Sequence, residues 1–461
     1  MTRPASASAA GFRDALERVA REVEVSPPGG LHVATCHLPP DIDPLRLWGA
    51  APPDVFASFW ETEGECVAGI GVTPDALEEP DEPEEAADPR EPGTPRWFGG
   101  VPFAPDWTDE DWRPLTEAGF VLPRWTLHRP APGESVKVTL SLRGTAASIS
   151  AQRLDEEFRR ILEALAGDAG IGNTDGRRDA AAKPPLQDGR NGEARAAWDA
   201  AVGEALSAIE AGDLAKVVLA RRVAEPRPPH MDAAEILRRL RAEGSGRFRF
   251  GLRRGGRAFV GASPECLLRK QGRDVEVEAL AGTFDLGTEQ SLVDAAEHLF
   301  ASGKDLEEHA LVVRGVTEAL EPLAVSVASD EWPRVREARR LAHLSTTVRA
   351  RVEASVRPYE LIRAIHPTPA VGGLPRESAL RLIRRVEPSP RGLFAAPVGW
   401  ISADGDACLA VGIRSALLLE SHAWVYAGAG IVGASDPAAE WDETAAKLRW
   451  FRELVETAGS E

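Results

Sequence analysis

Alternation of apolar and polar residues marks the first third of the chain as strands. Val136, Val138, Leu140 and Leu142 recur at period two, the pattern of a half-buried strand. Similar runs predict strands over Leu31–Leu38, Cys66–Val72, Arg96–Phe103 and Phe120–Leu127, with a helix near Leu154–Leu165. After residue 192 the period changes. Trp198, Val202, Leu206 and Ile209 fall at helical spacing, and Gly212 ends that helix. A strand over Lys216–Val223 and a helix near Ala233–Ala242 follow. Four short strands come next: Phe248–Leu252, Ala258–Gly261, Cys266–Arg269 and Val275–Ala279. A long helix starts at Ser302, and the apolar positions Leu306, Ala310, Val313 and Leu320 predict its buried face. Val398–Ser402, Ala407–Leu419 and Trp424–Ile431 read as an antiparallel meander, with Asp404-Gly405 as a hairpin turn. A helix over Pro437–Thr457 closes the pattern, with Ser435 or Asp436 as its N-cap. Strands interleaved with long helices and hairpins predict an α+β fold with mainly antiparallel sheet.

Gly, Pro and Asn without apolar periodicity between 167 and 192 predict a linker. It separates a strand-rich half, 1–166, from a region 193–461. No repeat of fixed period is visible.

Composition narrows the class. The chain has 461 residues, 43% of them hydrophobic and 27% charged, a globular mix too long for one small core. Its net charge of −18 speaks against a nucleic-acid or anionic-membrane partner. Nine acids against one base crowd residues 75–91, so almost half of that charge reads as one solvated acidic loop. No apolar run is long enough for a membrane span. The residues after Met1 lack a signal-peptide core, which predicts a cytoplasmic protein. Cys36, Cys66, Cys266 and Cys408 form no C-x-x-C pair and read as buried thiols.

Two motifs mislead. Gly428, Gly430 and Gly433 match G-x-G-x-x-G, but only one helix follows, so the second parallel strand of a dinucleotide fold has no place. The glycines still permit close backbone approach to a ligand. Glu308-His309 lacks the spacing of a zinc protease helix.

The candidate chemistry lies elsewhere. Glu440, Glu443 and Lys447 share one face of the closing helix. The ordinary meaning is a solvated stripe with an i,i+4 salt bridge; the functional one is two carboxylates for a hard cation and a Lys for an anion. Lys216 opens an apolar strand, either as a desolvated base or as a snorkelling edge residue. Glu265, in Ser263-Pro264-Glu265, is either a turn residue or a carboxyl kept protonated as a general acid.

Taken together these segments resemble the chorismate-binding enzymes, and isochorismate synthases within them. The motifs are Lys216-Val-Val-Leu-Ala-Arg221, Gly261-Ala-Ser-Pro-Glu265, Leu280-Ala-Gly-Thr283, Lys304-Asp-Leu-Glu-Glu308-His309, and His343-Leu-Ser-Thr. They continue with His366-Pro-Thr-Pro-Ala-Val-Gly-Gly373, Arg391-Gly-Leu-Phe394, Gly412-Ile-Arg414, Gly428-Ala-Gly-Ile-Val, and Glu440-Trp-Asp-Glu443 with Lys447. In the first half the match is looser, through Trp97-Phe-Gly-Gly100.

The resemblance implies two related α/β halves around a central β-sandwich and a Mg²⁺-dependent isomerisation of chorismate. In that reaction water adds at ring carbon 2 and the 4-hydroxyl leaves. It makes Lys216 the base and Glu265 the acid. Glu308 and Glu443 would hold Mg²⁺, with Glu440 acting through a water. Gly282, Thr283, His343, Ala370, Phe394, Arg414, Gly428, Gly430 and Lys447 would bind substrate. Lys216 and Ala370 favour water over ammonia as nucleophile, hence no obligate amidotransferase subunit, with a monomer as the default. Phe394 stands where some relatives carry Tyr, and Glu278 and Phe284 where relatives often carry other polar or basic residues. The runner-up reactions are a salicylate synthase, which goes on to eliminate pyruvate, and a catalytically silent subunit. The product could feed menaquinone, mildly favoured by analogy, or a siderophore.

Overall fold

The computed structural model describes residues 14–22, 31–73, 94–143, 150–166, 191–228, 231–244, 246–287, 291–338 and 341–456. The acidic run 75–91 and the linker up to residue 190 lie outside them. Asn191 and Gly192, assigned to the linker from sequence, begin the Asn191–Glu210 helix.

Two sheets carry the fold, and every strand pair among the described residues is antiparallel. The first has 11 strands, in the order Leu31–Leu38, Val136–Arg143, Trp125–Arg129, Cys66–Ile70, Ala57–Glu61, Phe248–Arg254, Arg257–Ser263, Ser415–Leu418, His422–Ile431, Lys216–Pro226 and Gly373–Leu374. The second has nine, running Ala324–Ser329, Leu341–Val352, Asp274–Asp285, Cys266–Gln271, Ala407–Val411, Pro397–Ser402, Arg96–Gly100 and Phe120–Val121, with Arg334–Ala338 beside Leu341–Val352. Strands from both sides of the linker join each sheet. Ala57–Glu61 pairs with Phe248–Arg254, and Arg96–Gly100 with Pro397–Ser402.

Period-two alternation splits the apolar side chains between two cores. Phe259, Leu417 and Tyr426 of the larger sheet share one core with Leu268, Val277, Val398 and Leu409 of the smaller one. Their neighbours Ala258, Val260, Ala416 and Leu418 face the other way. There they pack with Ile236 and Leu237 of the Ala233–Ala242 helix and Phe451 and Leu454 of the Pro437–Glu456 helix.

Several sequence expectations are corrected. Phe120–Leu127 is two strands, interrupted by Pro123. Ala57–Glu61 is a strand that alternation could not reveal, because all five residues are buried. Ala407–Leu419 is not one meander strand. It breaks at Gly412–Arg414 and passes from the smaller sheet to the larger. A Cβ at Gly412 would lie 2.3 Å from the Leu393 carbonyl oxygen. Arg414 adopts φ +50°, an uncommon conformation for a non-glycine residue. The Gly303–Leu320 helix keeps the predicted face only toward its C-terminal end, with Leu320 buried and Val313 partly so, whereas Leu306 and Ala310 are exposed. Asp305, Glu308, His309, Val312, Val316 and Leu320 are buried, while Leu306 is 36% exposed. Periodicity assigns apolar residues to a core; here the first two turns face a polar cavity instead.

Among the described residues no helix is long and apolar enough to cross a membrane. Cys36, Cys66, Cys266 and Cys408 are buried free thiols, as expected.

Candidate active site

Both sheets, the Gly303–Leu320 helix and the Pro437–Glu456 helix converge on one cavity. Its lining includes Glu265, Gly282, Thr283, Glu308, His343, Ala370, Phe394, Arg414, Gly428, Gly430, Glu443 and Lys447. Lys216 sits behind Glu308 and is fully buried, with Nζ 3.0 Å from Glu308 Oε1. The alternative of a snorkelling edge lysine is thereby excluded. Glu440 lies outside the lining, 1% exposed, with Oε1 2.5 Å from Lys304 Nζ.

Backbone geometry makes room for these charges. Gly430 lies across from Val218 on the neighbouring strand. A Cβ there would stand 2.1 Å from Glu308 Oε1 and 3.1 Å from Lys216 Cε, so only glycine allows the pair to meet. Gly282 adopts φ +71° and presses against Asp305, where a Cβ would lie 3.1 Å from the Asp305 Cβ. The Gly282 carbonyl accepts a hydrogen bond at 2.9 Å from His343 Nδ1. A carbonyl can only accept, so His343 carries its proton on Nδ1 and leaves Nε2 as an acceptor. Burial, with Arg414 and Lys447 nearby, pushes the His343 pKa down to about 3, so the ring is neutral. Phe394 stacks on Tyr426 at 5.0 Å and forms an apolar wall.

Glu265 is 3% exposed, and its Oε1 has no hydrogen-bond partner among the described residues. Burial raises its pKa to about 8, reinforced by the negative charge of Glu278 and opposed by Lys216, Arg336 and Lys447. Glu278 is the other member of this acid pair. It accepts from Arg247, from Arg336 at 2.9 Å and from the Cys266 N–H at 3.0 Å. Glu265 is therefore a carboxylic acid at neutral pH, with a proton to give.

Glu443 and Lys447 do form the i,i+4 salt bridge, at 2.5 Å, and Lys447 also donates to the Gly428 carbonyl at 3.0 Å. The stripe nevertheless faces the cavity and not bulk water. Burial works against ionisation of Glu443, but Lys447 and Lys304 hold its pKa below the usual carboxylate range. Glu440 is shifted the other way, by burial and then by the charge of Glu443. Asp305 is raised by burial too, with Glu308 and Glu443 adding to it. Asp305 and Lys304 are site residues that individual sequence positions did not single out, although both stand in the Lys304–His309 motif.

Arg391 was likewise legible only as part of a motif. It is 1% exposed and ion-paired with Glu387, and donates to the carbonyls of Val371 at 2.8 Å and Val218 at 2.7 Å. Glu387 in turn accepts from the Ala220 N–H at 2.8 Å. Truncation strands a buried charge beneath the cavity floor. Arg391→Met is expected to cost about 3–5 kcal/mol, read from a urea unfolding curve; a change below about 1 kcal/mol would remove this structural role.

The family described as "Chorismate binding enzyme" matches residues 40–456. The "Salicylate biosynthesis isochorismate synthase" of Pseudomonas aeruginosa is 34% identical over 370 residues, 79% of this chain and 75% of the relative. The isochorismate synthase MenF of Bacillus subtilis is 31% identical over 360 residues, 76% of this chain and 73% of the relative. In fold, the chain is similar to MenF, the menaquinone-specific isochorismate synthase of Escherichia coli, with a TM-score of 0.72 and 23% identity. That likeness covers 96% of this chain and 99% of that one.

Proposed function

The chain belongs to the chorismate-binding enzymes, and from that premise we propose that it is an isochorismate synthase, converting chorismate to isochorismate with Mg²⁺. The observation that carries the reading is the contrast between two buried groups in one centre. Glu265 is held protonated, and Lys216 is a fully buried amine beside Glu308. A carboxylic acid and an amine placed in one centre are what paired acid and base catalysis requires.

A water beside Lys216 gives a proton to Nζ as its oxygen bonds ring carbon 2. The ring double bonds shift, and the 4-hydroxyl takes the Glu265 proton and departs as water. One water enters and one leaves, so the net change is isomerisation. Arg414 and Lys447 supply the positive charge for a substrate carboxylate. Neutral His343 offers Nε2 as an acceptor to a ring hydroxyl.

Asp305, Glu308, Glu440 and Glu443 are all oxygen donors, which suits a hard cation, and the buried Glu440 Oε2 has no partner among the described residues. Among the described residues no three of His, Cys, Asp and Glu already form a metal cage. Mg²⁺ does not need one, since it keeps several waters and binds through one or two carboxylates plus substrate. Glu308 and Glu443 would hold it, with Glu440 reaching it through water, and it would neutralise a substrate carboxylate. Turning Glu308 to such a cation would release Lys216 Nζ from its ion pair.

Incubation with chorismate, with and without Mg²⁺, followed by chromatography tests the reading. Isochorismate formed only with Mg²⁺ is the expected product. Salicylate plus pyruvate would establish the runner-up reaction, and no turnover would sink both. Glu443→Gln is expected to raise the Mg²⁺ concentration for half-maximal activity at least about tenfold; an unchanged titration removes Glu443 from the ligand set.

A further inference from the structure

The Lys216–Arg221 motif ends on a residue with no part in this chemistry. Arg221 lines a second cavity, of about 1060 Å³, on the other side of the catalytic strand and the Pro437–Glu456 helix. Trp198, Leu219, Leu448 and Phe451 give it apolar walls. Five arginines line it, and four of them face carboxylates. Arg195 pairs with Asp199 at 2.8 Å, Arg222 with Asp109 at 3.3 Å, Arg449 with Asp285 at 2.7 Å and Arg452 with Glu225 at 2.6 Å.

Arg221 differs. Its guanidinium lies 3.6 Å over the Trp441 ring. Its Nε donates to Thr444 Oγ1 at 2.8 Å and a terminal nitrogen to the Trp441 carbonyl at 3.3 Å. Both acceptors are neutral, and no carboxylate among the described residues pairs with it within salt-bridge distance. The indole and the two hydrogen bonds fix the plane of the fork, while other N–H groups stay available. Burial lowers its pKa to about 10, and the charges of Arg452 and Arg195 act in the same direction, against Asp442. A fixed guanidinium with no ion-pair partner among the described residues, and with Arg452 and Arg195 nearby, is suited to receive an anion, and the apolar walls suit an organic body.

We propose that this second cavity binds an organic anion, a carboxylate or phosphate on an apolar body, with Arg221 as its receptor. Such a ligand would sit against the helix face opposite Glu443 and Lys447. The proposal does not depend on the identity of the reaction.

Calorimetric titration of the full chain with phenyl phosphate and, separately, benzoate tests it. At least one probe is expected to bind, and the one that binds identifies the anionic group. Arg221→Gln should weaken it roughly tenfold or more, while Arg414→Gln, in the chorismate centre, leaves it unchanged. If Arg221→Gln does not fold, Arg195→Gln and Arg452→Gln each should weaken binding severalfold through lost positive charge. No binding at about 10 mM of either probe overturns the proposal. So does affinity unchanged in all three cavity variants, or lost instead in Arg414→Gln, which would place the probe in the chorismate centre.

Discussion

Lys216→Ala is expected to lower turnover on the order of 10²–10⁴-fold while the fold stays intact. The amine is completely buried, so no bulk lysine can replace it, and its ion pair among the described residues is to Glu308 of the cavity wall. Removing it leaves Glu308 beside the cavity, where water can reach the carboxylate, which keeps the structural cost small. Circular dichroism and urea unfolding check the fold, and single-turnover assays with chorismate check the chemistry. The loss should lie in kcat more than in KM, because proton abstraction belongs to the transition state. Turnover near the unsubstituted rate would refute Lys216 as the base.

The second large effect concerns the acid. Glu265→Gln keeps shape and neutrality but has no acidic proton, so a similar loss of kcat is expected with little change in stability. In the unsubstituted protein kcat should fall as pH rises through about 8, where Glu265 gives up its proton. The sign for stability follows by linkage. A carboxyl whose folded pKa lies above its unfolded value stabilises fully below the ordinary carboxylate range. That contribution is lost as pH rises through the folded pKa. Glu278→Gln removes the second cause of the shift and leaves Arg247 and Arg336 facing Glu265 uncompensated. Its alkaline limb should therefore move to lower pH. A pH–kcat profile with no alkaline limb would sink Glu265 as the acid. A limb that Glu278→Gln leaves in place would remove only Glu278 from its control.

Much of the fold could be read in the chain. Val136–Leu142, Leu31–Leu38 and Ala233–Ala242 appear where period and caps put them, because a strand or helix with one wet face must alternate to bury the other. Ala57–Glu61 escaped because a strand covered on both faces has no alternation. The Ala407–Leu419 run escaped for another reason. Two strands in different sheets are continuous in hydrophobicity, and the break at Arg414 is a backbone conformation that composition does not encode.

The linear sequence determined which chemistry-bearing side chains exist and the order of the motifs carrying them, and hence the family. Contacts between distant segments decided the rest. On the Gly303–Leu320 helix Leu306 and Ala310 pointed to the wrong inner face, since what its first turns meet is a charged cavity. In the Glu440–Lys447 stripe the expected salt bridge formed, but against Gly428 and not bulk water. Whether Lys216 snorkels or is buried, and whether Glu265 is ionised, depends on desolvation and on charges brought in by Glu308 and Glu278. Those are through-space effects that fall off over a few ångströms, and only the folded chain sets such distances.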